Sequence, residues 1–438
     1  SPFKEGGEFV KAGKKDAFDQ LRRYMDVRGG AVSEGAERLF HTNFITGIIN
    51  KYHAYAGTIS SSYDYYLECK DPYPFKKEEI EDLDNNGQNL FLLGVLDKNN
   101  LLKIMQFFIM FETEGDIRIK KLARYQQFRA CMKAMKRIKE GKDPIEKGGV
   151  IWHTQGSGKS LTMVMLARMI RRTPQLRDTM LVIITDRIDL DKQIYATFSR
   201  VFPSEYTLAE NNLDKILTRA ETVQEMKALL SMAQAKIICT TIQKFQCEAD
   251  ENAVLEDSKS KTKLFFDKEI EVLTNKQNVI VFTDEAHRSQ YSNLSMNMRK
   301  ALPNATFIGF TGTPIEKDDK STYRTFGQLI DSYTISQAVQ DGNTVAIVYE
   351  GRKQDLHIIQ DQLDDDFDEY FGNKSDDEKE AIKVKYFNRI SLAEADERIS
   401  DIAKDMLIHY RDNSYKLGFK AQLVCVSRHA CVKYYDAL

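Results

Sequence analysis

The chain has 438 residues, 63 Lys and Arg against 65 Asp and Glu, a formal charge of −2, and 42% apolar and 29% charged residues. These proportions exclude wholesale disorder and collagen-like structure, and the balanced charge excludes histone-like or tail-mediated capture of nucleic acid, leaving only local patches for such a grip. Cys69, Cys131, Cys239, Cys247, Cys425 and Cys431 show no CxxC spacing, no run approaches the ~18 apolar residues of a membrane span, and no leader pattern opens the sequence, so a reducing cytoplasm is expected.

Residues 1–113 mix a helical stretch near Asp16–Arg28 with aromatic-rich extended segments such as Ser61–Leu67. Glycines and prolines punctuate them, which predicts a small α/β or α+β unit. Ile117–Lys142 reads as a basic helix whose Leu122, Tyr125, Phe128, Met132 and Met135 recur at spacings of three or four, one buried stripe. Its basic face, Arg118–Lys142, is read as solvated and not as a site.

From Gly148 to about Tyr349, short apolar runs alternate with helical patterns: Val150–Trp152, Met180–Ile184, Lys236–Thr240, Asn278–Phe282 and Thr306–Phe310. Strands separated by helices, without hairpin turns, predict a mostly parallel sheet covered on both faces, an α/β domain over 114–345. Residues 346–438 begin with an acidic stretch between Gln360 and Ala395, read as a solvated helix or linker, followed by a helix over Ile399–Tyr410. Ala421–Val426 is then expected as the first strand of another α/β domain. Because the chain opens on Ser1 and stops soon after that run, it is read as a piece of something longer.

The segment Val150–Thr162 carries the strongest signal. A strand runs into Thr154-Gln155-Gly156-Ser157-Gly158-Lys159-Ser160 and then into a helical pattern over Leu161–Ile170. Backbone N–H groups of such a turn converge with a helix N-terminus on one anion. Gly156 and Gly158 permit the tight bend, Lys159 reaches β and γ phosphates, and the Ser160 hydroxyl ligates magnesium. The usual loop pattern begins on a glycine where this chain has His153, which is expected to pack or scaffold and not to catalyse. A second signal is Val279–Phe282 ending in Thr283-Asp284-Glu285-Ala286-His287, a buried strand delivering acids to the sheet's carboxyl edge. There Asp284 would hold the magnesium and Glu285 would orient and deprotonate the attacking water.

With these two motifs in place, the sequence resembles superfamily 2 nucleic-acid motors, and more narrowly the motor subunit of type I restriction endonucleases. The likeness rests on Trp152–Ser160, Thr185-Asp186-Arg187 with Gln193, Thr240–Phe245, Asp284–Tyr291, Ile308–Ile315 and Tyr323–Tyr349, in the family's order. It implies a RecA-like motor domain, preceded by a partial nuclease-like domain (1–113) and followed by a linker and the start of a second RecA-like domain (346–438). It also implies ATP and Mg2+ as cofactors, and double-stranded DNA with modification methyltransferase and specificity subunits as partners.

By position, the resemblance makes Tyr125 and Gln127 the adenine readers, and Thr311, Gly312 and Thr313 the link between hydrolysis and movement. Arg187, Gln193, Thr240, Thr241 and Lys244 become DNA-backbone contacts, since hydroxyl, amide and basic donors suit phosphate oxygens without reading bases. Gln20 and Tyr24 match the nuclease helix motif, whereas the preceding metal-binding acids are expected to be missing. Glu68-Cys69-Lys70 has nuclease-like spacing but follows that helix, and is read as a decoy. Leu423–Arg428 matches the opening of the second motor domain. Without the later arginine finger, hydrolysis by this piece is expected to be feeble, and cleavage by it is not expected. The alternative is a superfamily 2 helicase or remodeller with no nuclease role.

Overall fold

The computed structural model describes residues 7–25, 35–76, 78, 86–114, 117–202, 216–232, 235–245, 272–284, 291–313, 323, 326–351 and 393–438. The chain divides into two compact units, one ending at Ala346 and one starting at Ile347.

The first unit opens with helices α1 (Gly7–Met25) and α2 (Glu37–His41) and the antiparallel strands β1 (Thr46–Ile49), β2 (Ala54–Gly57) and β3 (Leu67–Glu68). Helix α1 begins earlier than the expected Asp16. Helices α3 (Gly87–Gly94) and α4 (Lys98–Lys103) follow, their free N–H groups capped by the Asn86 and Asp97 side chains.

Next comes a two-stranded ribbon, β4 (Ile109–Glu114) and β5 (Ile117–Leu122), paired from Ile109↔Leu122 to Glu114↔Ile117. The expected helix over Ile117–Lys142 is therefore shorter: α5 spans Tyr125–Glu140, and its entry is set by the Arg124 N–H, which donates to Gln127 Oε1 at 2.9 Å. Leu122 lies three positions before Tyr125, so helical spacing carries across a boundary that the alternation of Ile117-Arg118-Ile119-Lys120 marks as strand.

After the short α6 (Pro144–Lys147) lies the main sheet. Its strands are β6 (Gly149–His153), β7 (Met180–Thr185), β8 (Leu217–Arg219), β9 (Ile237–Thr241), β10 (Val279–Thr283), β11 (Thr306–Thr311) and β12 (Leu329–Tyr333). They order as β12-β6-β11-β10-β7-β9-β8, every neighbouring pair parallel. The five predicted strands are all present. The unpredicted β8 is three residues long, and β12 carries an aspartate and a serine, so neither forms an apolar run.

Helices α7 (Lys159–Arg172), α8 (Ile188–Val201) and α9 (Val223–Ser231) connect the strands. Alternate residues point to opposite faces. Ile151, Ile183, Phe282 and Phe310 pack beneath α5, α7 and α8 in one core, while Val150, Val182, Val281 and Phe307 pack with α9 and the helix Tyr291–Ala301 in another. Burial on both faces is why these strands read as nearly continuous apolar runs. The first of those cores also takes in Ala54, Phe91, Phe108 and Met110, so apolar packing is continuous across the expected division at 113/114. Phe108 meets Phe128 edge to face at 4.9 Å between ring centroids.

In the second unit, a helix over Asp396–His409 packs through Ile399 and Ala403 against Ala430 and Tyr434 of the helix Arg428–Ala437. Ala421–Val426, expected as a strand, carries no ladder, and among the described residues no strand lies beside it. Most of the acidic stretch between Gln360 and Ala395 lies outside the described residues. Among those described, no helix is long and apolar enough to cross a membrane.

Candidate nucleotide-binding site

Strand β6 delivers the turn of residues 154–158 directly into α7, whose first residue is Lys159. Gly156 and Gly158 have φ of 82° and 86°, the left-handed region that side chains disfavour. The Thr154 N–H donates to Tyr333 O at 2.9 Å, and the Ser157 N–H closes the turn on Thr154 O at 3.2 Å. Gln155 and Gly156 are exposed, whereas the Ser157 hydroxyl is buried and, among the described residues, without a hydrogen-bond partner. Lys159 Nζ rests on His153 O at 3.3 Å, and Ser160 lies half-buried in the first helical turn.

Gln127 props the far side of this turn, its Nε2 donating to Gly158 O at 3.0 Å. A Cβ at Gly158 would lie 2.6 Å from that nitrogen. Gly158→Ala therefore meets both a strained φ and a displaced Gln127. An effect of ~1–3 kcal/mol at the loop translates into nucleotide affinity weakened by about tenfold or more, measurable by titration with a fluorescent ATP analogue.

The strand order decides what faces this turn. β11 separates β6 from β10, and with parallel strands ~4.8 Å apart the carboxyl ends of β6 and β10 lie about 10 Å apart on one edge. Asp284 follows β10 at that edge and is 7% exposed. Glu285, expected beside it, lies outside the described residues. Between them stands the turn of Thr311, Gly312 and Thr313. Gly312 O accepts from Trp152 Nε1 at 3.0 Å, and a Cβ on Gly312 would sit 3.4 Å from Gln155 N and 3.6 Å from Lys159 Nζ. The Thr313 N–H donates to Thr311 Oγ1 at 3.1 Å.

Beside the loop opens a cavity of about 490 Å³, within the usual range for a cofactor site. Gly156, Gly158 and Leu161 form one wall, Arg124, Tyr125, Gln127 and Phe128 another, and Ser60–Ser62, Tyr65 and Glu68 a third. Nothing in the sequence marks that third wall, because β2–β3 and the loop meet only through tertiary packing. The Tyr125 hydroxyl donates to Asp341 Oδ2 at 2.6 Å, and burial followed by this carboxylate pushes its ionisation up.

A buried charge cluster underlies the loop and was not foreseen. Asp331 of β12 accepts from Arg129 Nε at 2.8 Å, Lys133 Nζ at 2.8 Å and His153 Nε2 at 3.0 Å. Burial raises the Asp331 pKa, but the hydrogen bonds from His153 and Arg129 outweigh it and hold the carboxyl at about 2. For His153, burial dominates and lowers the pKa, so the imidazole is neutral and Nε2 is the donor. Arg129 also pairs with Asp71.

Of the expected DNA contacts, Arg187 and Gln193 are exposed after β7, and Lys244 follows β9 on the same sheet edge. Thr240 and Thr241 are buried, and among the described residues the Thr240 hydroxyl has no partner, so neither presents a surface oxygen. Burial lowers the Lys244 pKa. Gln20 Nε2 donates to Tyr24 Oη at 2.7 Å on α1, and both line a second cavity of about 310 Å³. In the decoy motif Glu68 accepts from His53 at 2.6 Å, and Lys70 pairs with Asp341 at 2.8 Å.

Among the described residues, no cluster of three or more His, Cys, Asp or Glu is poised for a metal. A hydrated magnesium shared with nucleotide phosphates needs only one or two protein oxygens, and the Ser160 hydroxyl and Asp284 carboxylate are of that kind.

A parallel sheet with a glycine loop capping a helix, an acid on the same edge and a nucleotide-sized cavity alongside defines an α/β domain of the RecA-like, P-loop class. Residues 126–380 match the family model described as SWI2/SNF2 ATPase, and the chain belongs to that family. It is 32% identical over 409 residues to the putative type I restriction enzyme MjaIXP endonuclease subunit of Methanocaldococcus jannaschii, covering 89% of this chain and 36% of that protein. It is 30% identical over 456 residues to the type I restriction enzyme HindI endonuclease subunit of Haemophilus influenzae, covering 100% and 39%. The chain thus spans well under half the length of these relatives. Among solved structures, the UvsW helicase of bacteriophage T4 aligns with a TM-score of 0.32 at 13% identity, covering 66% of this chain and 99% of that one.

Proposed function

We propose that this chain is the ATP-driven motor portion of a type I restriction endonuclease subunit, joined to a nuclease-like N-terminal region, which moves double-stranded DNA past a complex held at its recognition site. The observation that carries the reading is the meeting of three separate segments, Gly156–Ser160, Gly312 and Asp284, on one sheet edge beside a cavity of nucleotide size. The likeness to restriction subunits over nearly the whole chain supports the choice of motor within its class.

In this reading Tyr125 and Gln127 hold the base, and Thr154–Ser160 wrap the phosphates. The Ser160 hydroxyl and the Asp284 carboxylate would hold a magnesium ion, which would supply neutralisation of phosphate charge, and Glu285 would orient and deprotonate the water. Thr311–Thr313 touches the loop closely enough to feel whether phosphate is present and so to pass hydrolysis on to movement. Arg187, Gln193 and Lys244 grip the backbone, which carries no base information, so the motor is indifferent to sequence. The 1–113 region, with Gln20 and Tyr24, belongs to the nuclease part, and 346–438 leads into the second motor domain. Methyltransferase and specificity subunits are the partners, in a cytoplasmic complex.

The test is ATP turnover by the longer protein in its assembled complex, with and without duplex carrying the recognition site. Duplex is expected to raise turnover at least about tenfold, a barrier change of ~1.4 kcal/mol. Turnover indifferent to duplex would point instead to a nucleotide-dependent clamp.

A further inference from the structure

We infer that Asp331 is a positioning residue for the phosphate loop, acting through His153 at the loop's entrance and through α5 at its exit. The inference rests on the nucleotide reading above and goes beyond it, since neither residue lies against the cavity described there.

A side chain at position 153 has to leave the anion cup, and this one turns into the protein, where it is fully buried. Two fixing bonds converge there. The imidazole donates to Asp331, and the next N–H, of Thr154, donates to Tyr333 O on the strand that carries Asp331. Among the described residues β12 is an edge strand paired with β6 alone, and its register shifts between Leu329 and Asp331, which places Asp331 opposite Ile151 and within reach of His153. An edge strand held by a single ladder gains much of its fixed placement from side-chain ties of this sort.

The same carboxylate binds Arg129 and Lys133 of α5. That helix carries Gln127, whose amide holds Gly158 O. Both ends of the five-residue turn are thereby referred to one anion, and the N–H groups meant for phosphate are set before any nucleotide arrives. Preorganisation of this type strengthens binding by removing the cost of ordering the loop. Among the described residues, the buried Nδ1 of His153 has no hydrogen-bond partner. An orphan acceptor is costly in a residue kept for packing, and is accounted for when the ring is placed for its Nε2 bond.

The experiment uses the full chain and competition by ADP and by AMP against a fluorescent ADP analogue. A set loop matters to the β phosphate and hardly to the base. His153→Leu, which removes the donor, is expected to weaken ADP about tenfold and AMP less than about twofold, and His153→Gln, which retains an N–H, to restore ADP to within about threefold of the parent. Asp331→Asn is expected to weaken ADP about tenfold or more alone, and the double variant with His153→Leu to lose clearly less than the product of the two single losses, because their shared bond is removed only once while the tie to α5 is lost with Asp331 alone.

Equal losses for ADP and AMP, no rescue by glutamine, or multiplying losses in the double variant would each overturn the inference. Should Asp331→Asn fail to fold, the leucine and glutamine variants at 153 decide the matter alone. Failure of the underlying reading looks different: the parent chain would bind no ADP, or would bind it equally well with Lys159→Ala.

Discussion

Lys159→Ala is expected to lower ATP turnover in the assembled protein by about 10²–10³-fold, the scale for removing one preorganised electrostatic group from a developing charge. Lys159 is the first residue of α7, and its ammonium rests on His153 O at 3.3 Å, beside Gly312 and above the turn. That resting bond is weak and easily exchanged for phosphate oxygens. Helix and loop geometry do not depend on the ammonium, since the Thr162 N–H and hydroxyl both bond Gly158 O, at 3.1 and 3.2 Å. The variant should therefore fold with its melting temperature nearly unchanged while phosphate-dependent affinity and turnover collapse. Steady-state hydrolysis, read beside a thermal melt, checks this, and turnover at the parent's level would remove the motor assignment.

Arg129→Ala is expected to produce the largest loss of stability among surface-remote single changes. Its guanidinium donates twice to Asp331, at 2.8 and 3.1 Å, once to Ser332 O at 2.8 Å, and pairs with Asp71, so it ties α5, β12 and the N-terminal region together. Removing it leaves a carboxylate 1% exposed with, among the described residues, His153 and Lys133 alone, and breaking a buried pair from one side costs ~3–5 kcal/mol.

The pH dependence follows from Asp331. Its folded pKa of about 2 lies below the ordinary 3.8, so its contribution is full above about pH 4 and is lost as pH falls toward 2. Without Arg129 the folded pKa rises, and stability should change less across that window. Urea unfolding at pH 7 and at pH 3 checks both statements, and a variant as stable as the parent at pH 7 would refute the role given to the cluster.

The parallel sheet was legible because strands buried on both faces must be apolar throughout, as Met180–Thr185 and Val279–Thr283 are. The loop was legible because an anion cup needs glycine, lysine and a helix start in sequence. What escaped was made by tertiary packing. β12 contains Asp331, a residue that looks like surface until Arg129, Lys133 and His153 are seen around it. The cavity wall at Ser60–Ser62 and Tyr65 has no local signature at all. Ile117–Leu122 was misassigned because a helical stripe and a strand alternation share Leu122. Thr240 and Thr241, donors by type, end a strand whose every residue is buried.

The strand that delivers the loop has a further consequence for how the protein is made. Its Trp152 bonds Gly312 across 160 positions, and its His153 bonds Asp331 across 178. Both flanks of β6 are thus supplied by chain that leaves the ribosome long after β6 itself. At ~5–20 residues per second, Val150-Ile151-Trp152 waits on the order of ten seconds or more without its sheet neighbours. The loop is consequently among the last features of its own sheet to be completed on a nascent chain, and a nucleotide that binds the finished loop would draw that closing step forward by mass action.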